Sequence, residues 1–133
     1  MITKTRQDQL IQYANQAIQD VFVQKGEVDG AYDGQIAAFS VSIAMSGLKT
    51  AMAIYMKSKG TGVDKKNIIK AIGIIYDKDN HSNGTTDEVL WNSVKDADEN
   101  VIKSLQEMFL QYAIALKLTF RTFKYKENEK KSS

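Results

Sequence analysis

The side chains best suited to chemistry are few and badly placed for it. His81 is the only histidine, set in the polar run Asp77-Lys78-Asp79-Asn80-His81-Ser82-Asn83-Gly84. General acid–base work needs an orienting partner for the imidazole, and helix-borne zinc or di-iron sites need a second ligand one helical turn away. No Glu-x-x-His or His-Glu-x-x-His spacing surrounds His81. Counted as a calcium loop from Asp77, the run has Glu88 at the twelfth place but Ser82 where the sixth must be glycine. The chain contains no cysteine, which excludes disulfides, thiolate nucleophiles and cysteine-ligated metal. Gly60-Thr61-Gly62-Val63-Asp64-Lys65-Lys66 lacks Walker spacing, although a turn opening a helix beside two lysines favours a phosphate. The expectation is a protein that is not an enzyme and carries no cofactor and no metal.

What remains is charge. Over 133 residues the net charge is only +2, but it is unevenly spread. Lys57 to Lys70 holds five lysines (Lys57, Lys59, Lys65, Lys66, Lys70) against Asp64, a balance of +4. Lys117 to Ser133 holds six cations (Lys117, Arg121, Lys124, Lys126, Lys130, Lys131) against Glu127 and Glu129, again +4. Asp77 to Glu107 has eight acids and three lysines, a balance of −5. Such asymmetry can make a polyanion-binding face on a nearly neutral protein, or simply solvated helix faces. Lys49, Lys57, Lys59, Lys65, Lys66 and Lys70 are the main candidates for contacts to a nucleic-acid backbone, with Arg121 and Lys124 as a second group. Tyr32, Tyr55, Tyr112 and Tyr125 could stack on bases, but Tyr55 and Tyr112 fall on apolar helix faces and read as core.

The elements that must carry these residues are helical. Proline is absent, and apolar residues recur at three- and four-residue steps. The spacing predicts a first helix over about Thr3–Gln24 with Leu10, Ile11, Ala14, Ala17, Ile18, Val21 and Phe22 on one apolar stripe, stopped near Gly26. A second covers about Ala31–Met45, where Gly34 and several alanines and serines suggest close approach by a neighbouring helix. A third spans Leu48–Lys59. A fourth starts near Val63-Asp64 and ends in an exposed loop at 77–84. Thr85 and Glu88 offer a capping box for a short fifth helix, and a long last helix runs from about Ala97 to Phe123 or Tyr125. The fold class is all-α: one compact bundle of about six helices with a long C-terminal helix over residues 1–125, then a charged, frayed tail at 126–133. No apolar run approaches the ~18 residues of a membrane helix. The N-terminus turns polar at once, so a cytoplasmic protein is expected.

One segment is distinctive: Ser46-Gly47-Leu48-Lys49-Thr50-Ala51-Met52-Ala53-Ile54-Tyr55-Met56-Lys57-Ser58-Lys59-Gly60. It resembles the signature of the small helical subunit of the type III-B (Cmr) CRISPR effector complex. In that family a Gly-Leu pair opens a helix rich in small and aromatic residues that closes on Ser-Lys-Gly. Tyr13-Ala14 leading into Val21, and Leu105 to Ala113, resemble the family's opening and closing helices. The family often carries arginines in its first helix and near its end, whereas this chain has only Arg6 and Arg121. The resemblance implies a nuclease-inactive bundle whose copies stack head to tail beside the guide–target duplex and touch the target RNA backbone. Its partners would be other Cmr effector subunits, further copies of itself and the guide RNA/target RNA duplex, with cleavage left to other subunits. An alternative is a helical protein–protein adaptor or dimeric regulator unrelated to CRISPR, using the small-residue second helix as a partner groove.

Overall fold

The structure, a computed structural model, describes residues 3–57 and 63–126. Six helices follow one another: α1 (Lys4–Val21), α2 (Ala31–Ser46), α3 (Leu48–Met56), α4 (Lys66–Asn80), α5 (Asp87–Lys95) and α6 (Glu99–Phe120). α6 is the hub. It packs against α1, α2, α3 and α4, while α5 closes one end against α3 and α4. Tyr112, Phe109, Phe120 and Leu116 of α6 are fully buried, meeting Leu10 and Ile18 of α1, Ile36, Phe39 and Ile43 of α2, Leu48 and Met52 of α3 and Ile68, Ile69 and Ile72 of α4 in one core. Each such side chain contributes about 1.5–3 kcal/mol by leaving water. The stripe expected of the first helix faces inward at Leu10, Ala14, Ala17, Ile18 and Phe22, with Ile11 and Val21 half-buried at its edges.

The helix ends follow local chemistry. Thr3 Oγ1 accepts from the Arg6 amide at 3.1 Å, and Asp98 Oδ1 accepts from the Val101 amide at 2.9 Å, satisfying the first turns of α1 and α6. Between α2 and α3 the chain turns at Gly47, whose φ of 88° suits glycine. The freed Leu48 amide is capped from outside its own helix by Gln106 Oε1 at 3.0 Å, so α6 holds the start of α3.

Three expectations are corrected. α1 stops at Val21, and Gly26 caps no helix; it forms the second residue of a two-residue turn, Lys25-Gly26, closed by reciprocal Gln24–Glu27 backbone bonds of 2.8 and 3.1 Å. α4 continues to Asn80, so Asp77 to Asn80 are helical rather than loop. Their poor propensity is overridden by contacts: Asp77 accepts from Ser82, from the Thr85 amide and from Thr85 Oγ1, and Asp79 pairs with Arg6. Because Asp77 takes Thr85, the cap of α5 is Thr86, whose Oγ1 accepts from the Val89 amide at 3.2 Å, and the Thr85–Glu88 box does not form. At the other termini, α3 ends at Met56 and α6 at Phe120, each shorter than the spacing suggests.

Gly34 also departs from expectation. A Cβ there would meet nothing within 4 Å, so no neighbouring helix approaches it closely. It is a solvent-facing glycine in a helix interior, where it costs about 0.5–1 kcal/mol relative to alanine. Gly34→Ala should raise the thermal midpoint by roughly 2–4 °C; a calorimetric scan showing no rise would mean that this position is not helical in solution.

Candidate nucleic-acid interface

The two basic segments come to the same end of the bundle. The N-terminus of α4 is joined to that of α2 by Tyr32, whose hydroxyl donates to the Asp64 carbonyl at 3.2 Å and accepts from Asn67 Nδ2 at 2.9 Å. Next to Tyr32, the Val28 amide donates to the Lys124 carbonyl at 2.9 Å, and the Lys126 amide donates to the Val28 carbonyl at 2.7 Å. These bonds clamp the segment after α6 onto the α1–α2 connection. Tyr125 lies over Gly30, where an added Cβ would sit 2.7 Å from the ring. The clamp includes Lys126; the rest of the charged tail at 126–133 lies outside the described residues.

The structure sorts the candidate cations into free and committed groups. Lys57 ends α3 and is exposed. Lys65 precedes α4, its ammonium 5.3 Å from the centroid of the Tyr55 ring. Lys66 and Lys70 sit four residues apart on the outer face of α4, which opens with Asp64 Oδ1 accepting from the Lys66 amide at 3.0 Å. Among the described residues, none of these four lysines is in an ion pair. Lys59 lies outside the described residues, as do Gly60, Thr61 and Gly62 of the glycine turn.

The other candidates already have partners. Lys49 Nζ donates to the Ala97 carbonyl at 2.7 Å, tying α3 to the α5–α6 connection. Arg121 Nε meets Asp33 Oδ1 at 2.9 Å, and Lys124 Nζ meets Glu27 Oε2 at 3.3 Å. Arg6 forms a two-pronged pair with Asp79 across α1 and α4. Both arginines of the chain thus join helices, which accounts physically for how little arginine is left for a phosphate surface.

The aromatic residues divide in the same way. Tyr55 is buried against Phe39 at a 4.8 Å centroid distance and donates to the Gln35 carbonyl at 2.8 Å. Its burial pushes the phenol up to about 12. Tyr112 is fully buried and donates to Asp79 Oδ2 at 2.5 Å. Tyr32 is also core, packed on Phe22 at 4.7 Å, so of the four only Tyr125 presents an appreciable surface. His81 occupies the left-handed position that ends α4. Among the described residues no three His, Cys, Asp or Glu side chains are grouped to hold a metal ion, and no helix is long and apolar enough to cross a membrane.

Sequence reasoning missed Lys25, which lines a cavity at this end together with Asn67 and Lys126. Lys25 gave one usable signal, the Lys-Gly pair of a tight turn. Lys126 showed only as a member of the second basic run, since its place depends on the backbone clamp to Val28.

These features define a small all-helical protein with a basic end. Residues 6–122 match the profile of the CRISPR-associated protein (Cas_Cmr5) family, and the chain belongs to that family. The X-ray crystal structure of a CRISPR-associated Cmr5 family protein from Thermus thermophilus has the same fold, with a TM-score of 0.71 at 16% identity over 91% of this chain and 99% of that one. No curated protein matches the chain. Family membership sets aside the adaptor unrelated to CRISPR.

Proposed function

We propose that this chain is the non-catalytic small subunit of a type III-B Cmr effector in the cytoplasm, holding the guide–target RNA duplex by its phosphates. The observation that carries the reading is the grouping of Lys57, Lys65, Lys66 and Lys70 at one end of a Cmr5-family bundle without carboxylate partners among the described residues. Lysines held on rigid helix ends attract a backbone without reading bases, which leaves sequence choice to guide–target pairing. Copies of the chain stack on one another and on the other Cmr subunits, so a modest surface is repeated along an elongated ligand. Arg121 and Lys124 contribute field rather than direct contacts, because Asp33 and Glu27 hold their heads.

The test is charge reversal at Lys57, Lys65 and Lys66 in the assembled effector. Target-RNA retention should fall, and the slope of log affinity against log salt should flatten by roughly 2–3, about 0.7–0.9 for each phosphate no longer neutralised. The triple variant should keep the helical signal of the parent, with at most a small fall in melting point from loss of the Lys65 ammonium over the Tyr55 ring. Unchanged retention and slope would remove this surface from RNA binding.

A further inference from the structure

Asn83-Gly84 is the only Asn-Gly pair in the chain, and it lies in the connection between α4 and α5. Both residues are exposed and neither is helical. Gly84 has a φ of 74°, a conformation natural to glycine, and an added Cβ there would meet nothing within 4 Å. Among the described residues the Gly84 amide has no acceptor and the Asn83 side chain has no hydrogen-bond partner. A carboxamide and the amide nitrogen that follows it are thus both uncommitted and open to water.

The other described asparagines are placed differently. Asn15, Asn67, Asn80, Asn92 and Asn100 all lie in helices, where the next amide is engaged in the helix or its cap. Asn67 also donates to the Tyr32 hydroxyl and Asn80 to the Tyr76 carbonyl. The related pair Asp29-Gly30 is tied down as well, by the bond from the Ala31 amide to Asp29 Oδ1 and by the Tyr125 ring over Gly30.

We propose that Asn83 is a self-modification site, at which the chain loses ammonia and gains a carboxylate without an enzyme. The Gly84 nitrogen gives its proton to solvent, attacks Asn83 Cγ and forms a cyclic imide. The carboxamide C–N bond breaks, and its NH2 takes up a proton and leaves as ammonia. Water then opens the imide at either carbonyl. One opening leaves aspartate; the other leaves isoaspartate, with the main chain rerouted through Cβ. The net change is carboxamide plus water to carboxylic acid plus ammonia.

Isoaspartate lengthens the backbone where it has no slack. On one side of the pair the Ser82 amide donates to the Asp77 carbonyl at 2.9 Å, and on the other the Thr85 amide donates to Asp77 Oδ2 at 3.0 Å. The Thr85 carbonyl also lies directly on Gly73. A carbon added between these anchors moves Thr85 off Asp77, so the site is a slow, one-way loosening of the α4–α5 connection.

The test ages the full chain in heavy-oxygen water at mildly acidic and mildly alkaline pH, followed by peptide mapping. Asn83 should take up heavy oxygen at least about tenfold faster than any helical asparagine, whose reaction waits on local opening of its helix. The rate should rise with pH, because the attacking nitrogen must lose its proton. An isoaspartate-specific methyltransferase should then label the peptide that holds Asn83 and Gly84. The aged chain should melt roughly 2–5 °C lower, the shift that loss of a hydrogen bond to a carboxylate gives a domain of this size. Asn83→Gln, whose longer side chain closes the ring far more slowly, should stay unlabelled and hold its melting point through the same ageing. Before ageing it should melt with the parent, since the Asn83 side chain bonds to nothing. Uptake at a helical asparagine first, or at Asn83 no faster than elsewhere, would overturn the site. Full conversion of Asn83 without a fall in melting point, or an equal fall in aged Asn83→Gln, would overturn the loosening.

Discussion

Asp79→Ala will destabilise the bundle by about 2–3 kcal/mol, the loss expected when one member of a largely buried ion pair is removed and its partners stay behind. Asp79 lies at the last turn of α4 with its side chain only 9% exposed, receiving both prongs of Arg6 from α1 and the Tyr112 hydroxyl from α6. Three helices meet on one carboxylate. Its removal strands a guanidinium that is 31% exposed and a phenol that is fully buried. Denaturant unfolding should show the midpoint falling with little change in slope. Arg6→Met with Asp79→Leu should lose less than Asp79→Ala alone, because no unpaired charge remains; a larger loss in the double variant would show that the ion pair itself, and not the stranded partner, carries the stability.

The same carboxylate gives the fold a dependence on acid. The hydrogen bonds from Arg6 hold Asp79 below its ordinary value of 3.8, outweighing the opposing effect of burial. At Asp77 burial pushes upward, but the bonds from Thr85 and Ser82 win and its carboxyl also sits below 3.8. A carboxyl depressed in the folded state stabilises the protein fully above its unfolded value, and the contribution disappears as pH falls through the folded value. Stability should therefore be level in these two groups above about pH 5 and decline below about pH 4. In Asp79→Ala the decline should be shallower. An identical acid limb in parent and variant would contradict the assignment.

Gly73→Ala will cost about 1–3 kcal/mol through overpacking. The added Cβ would stand 2.4 Å from the Thr85 carbonyl oxygen, and backbone cannot rotate away as a side chain can. Gly73 is what lets the α4–α5 connection lie directly on α4, where Asp77 receives Thr85. The penalty opposes helix propensity, which favours alanine by about 1 kcal/mol, so a net destabilisation is a clear sign of the close approach. Hydrogen exchange should quicken first at the Thr85 amide and the start of α5. A variant as stable as the parent would mean that the connection stands off from the helix.

Gly34 and Gly73 show where sequence reading succeeds and where it stops. Both lie inside helices, and nothing in the chain order separates them. One faces solvent and the other carries a neighbouring backbone, a difference created only when the connection at Thr85 folds back. The end of α4 teaches the same point. Asp77 to Asn80 reads as loop because aspartate and asparagine favour turns, and it becomes helix because Arg6 and Tyr112, from far along the chain, and the nearby Thr85 use those side chains.

The candidate site was legible in kind rather than in place. The lysines were visible as a charge run, and Lys57, Lys65, Lys66 and Lys70 do stay free of carboxylates among the described residues. That Lys49 turns to the Ala97 carbonyl and Arg121 to Asp33 could not be read, because their partners lie 48 and 88 residues away.

The amino-acid order by itself determined that this protein is a helical bundle of the Cmr5 family, since apolar spacing at helical steps and the Gly47–Gly60 segment act through local geometry. Only the tertiary structure decided that its two basic segments meet at one end. Charge along a chain carries no direction until Val28 is bonded to Lys124 and Lys126, and Tyr32 to Asp64 and Asn67.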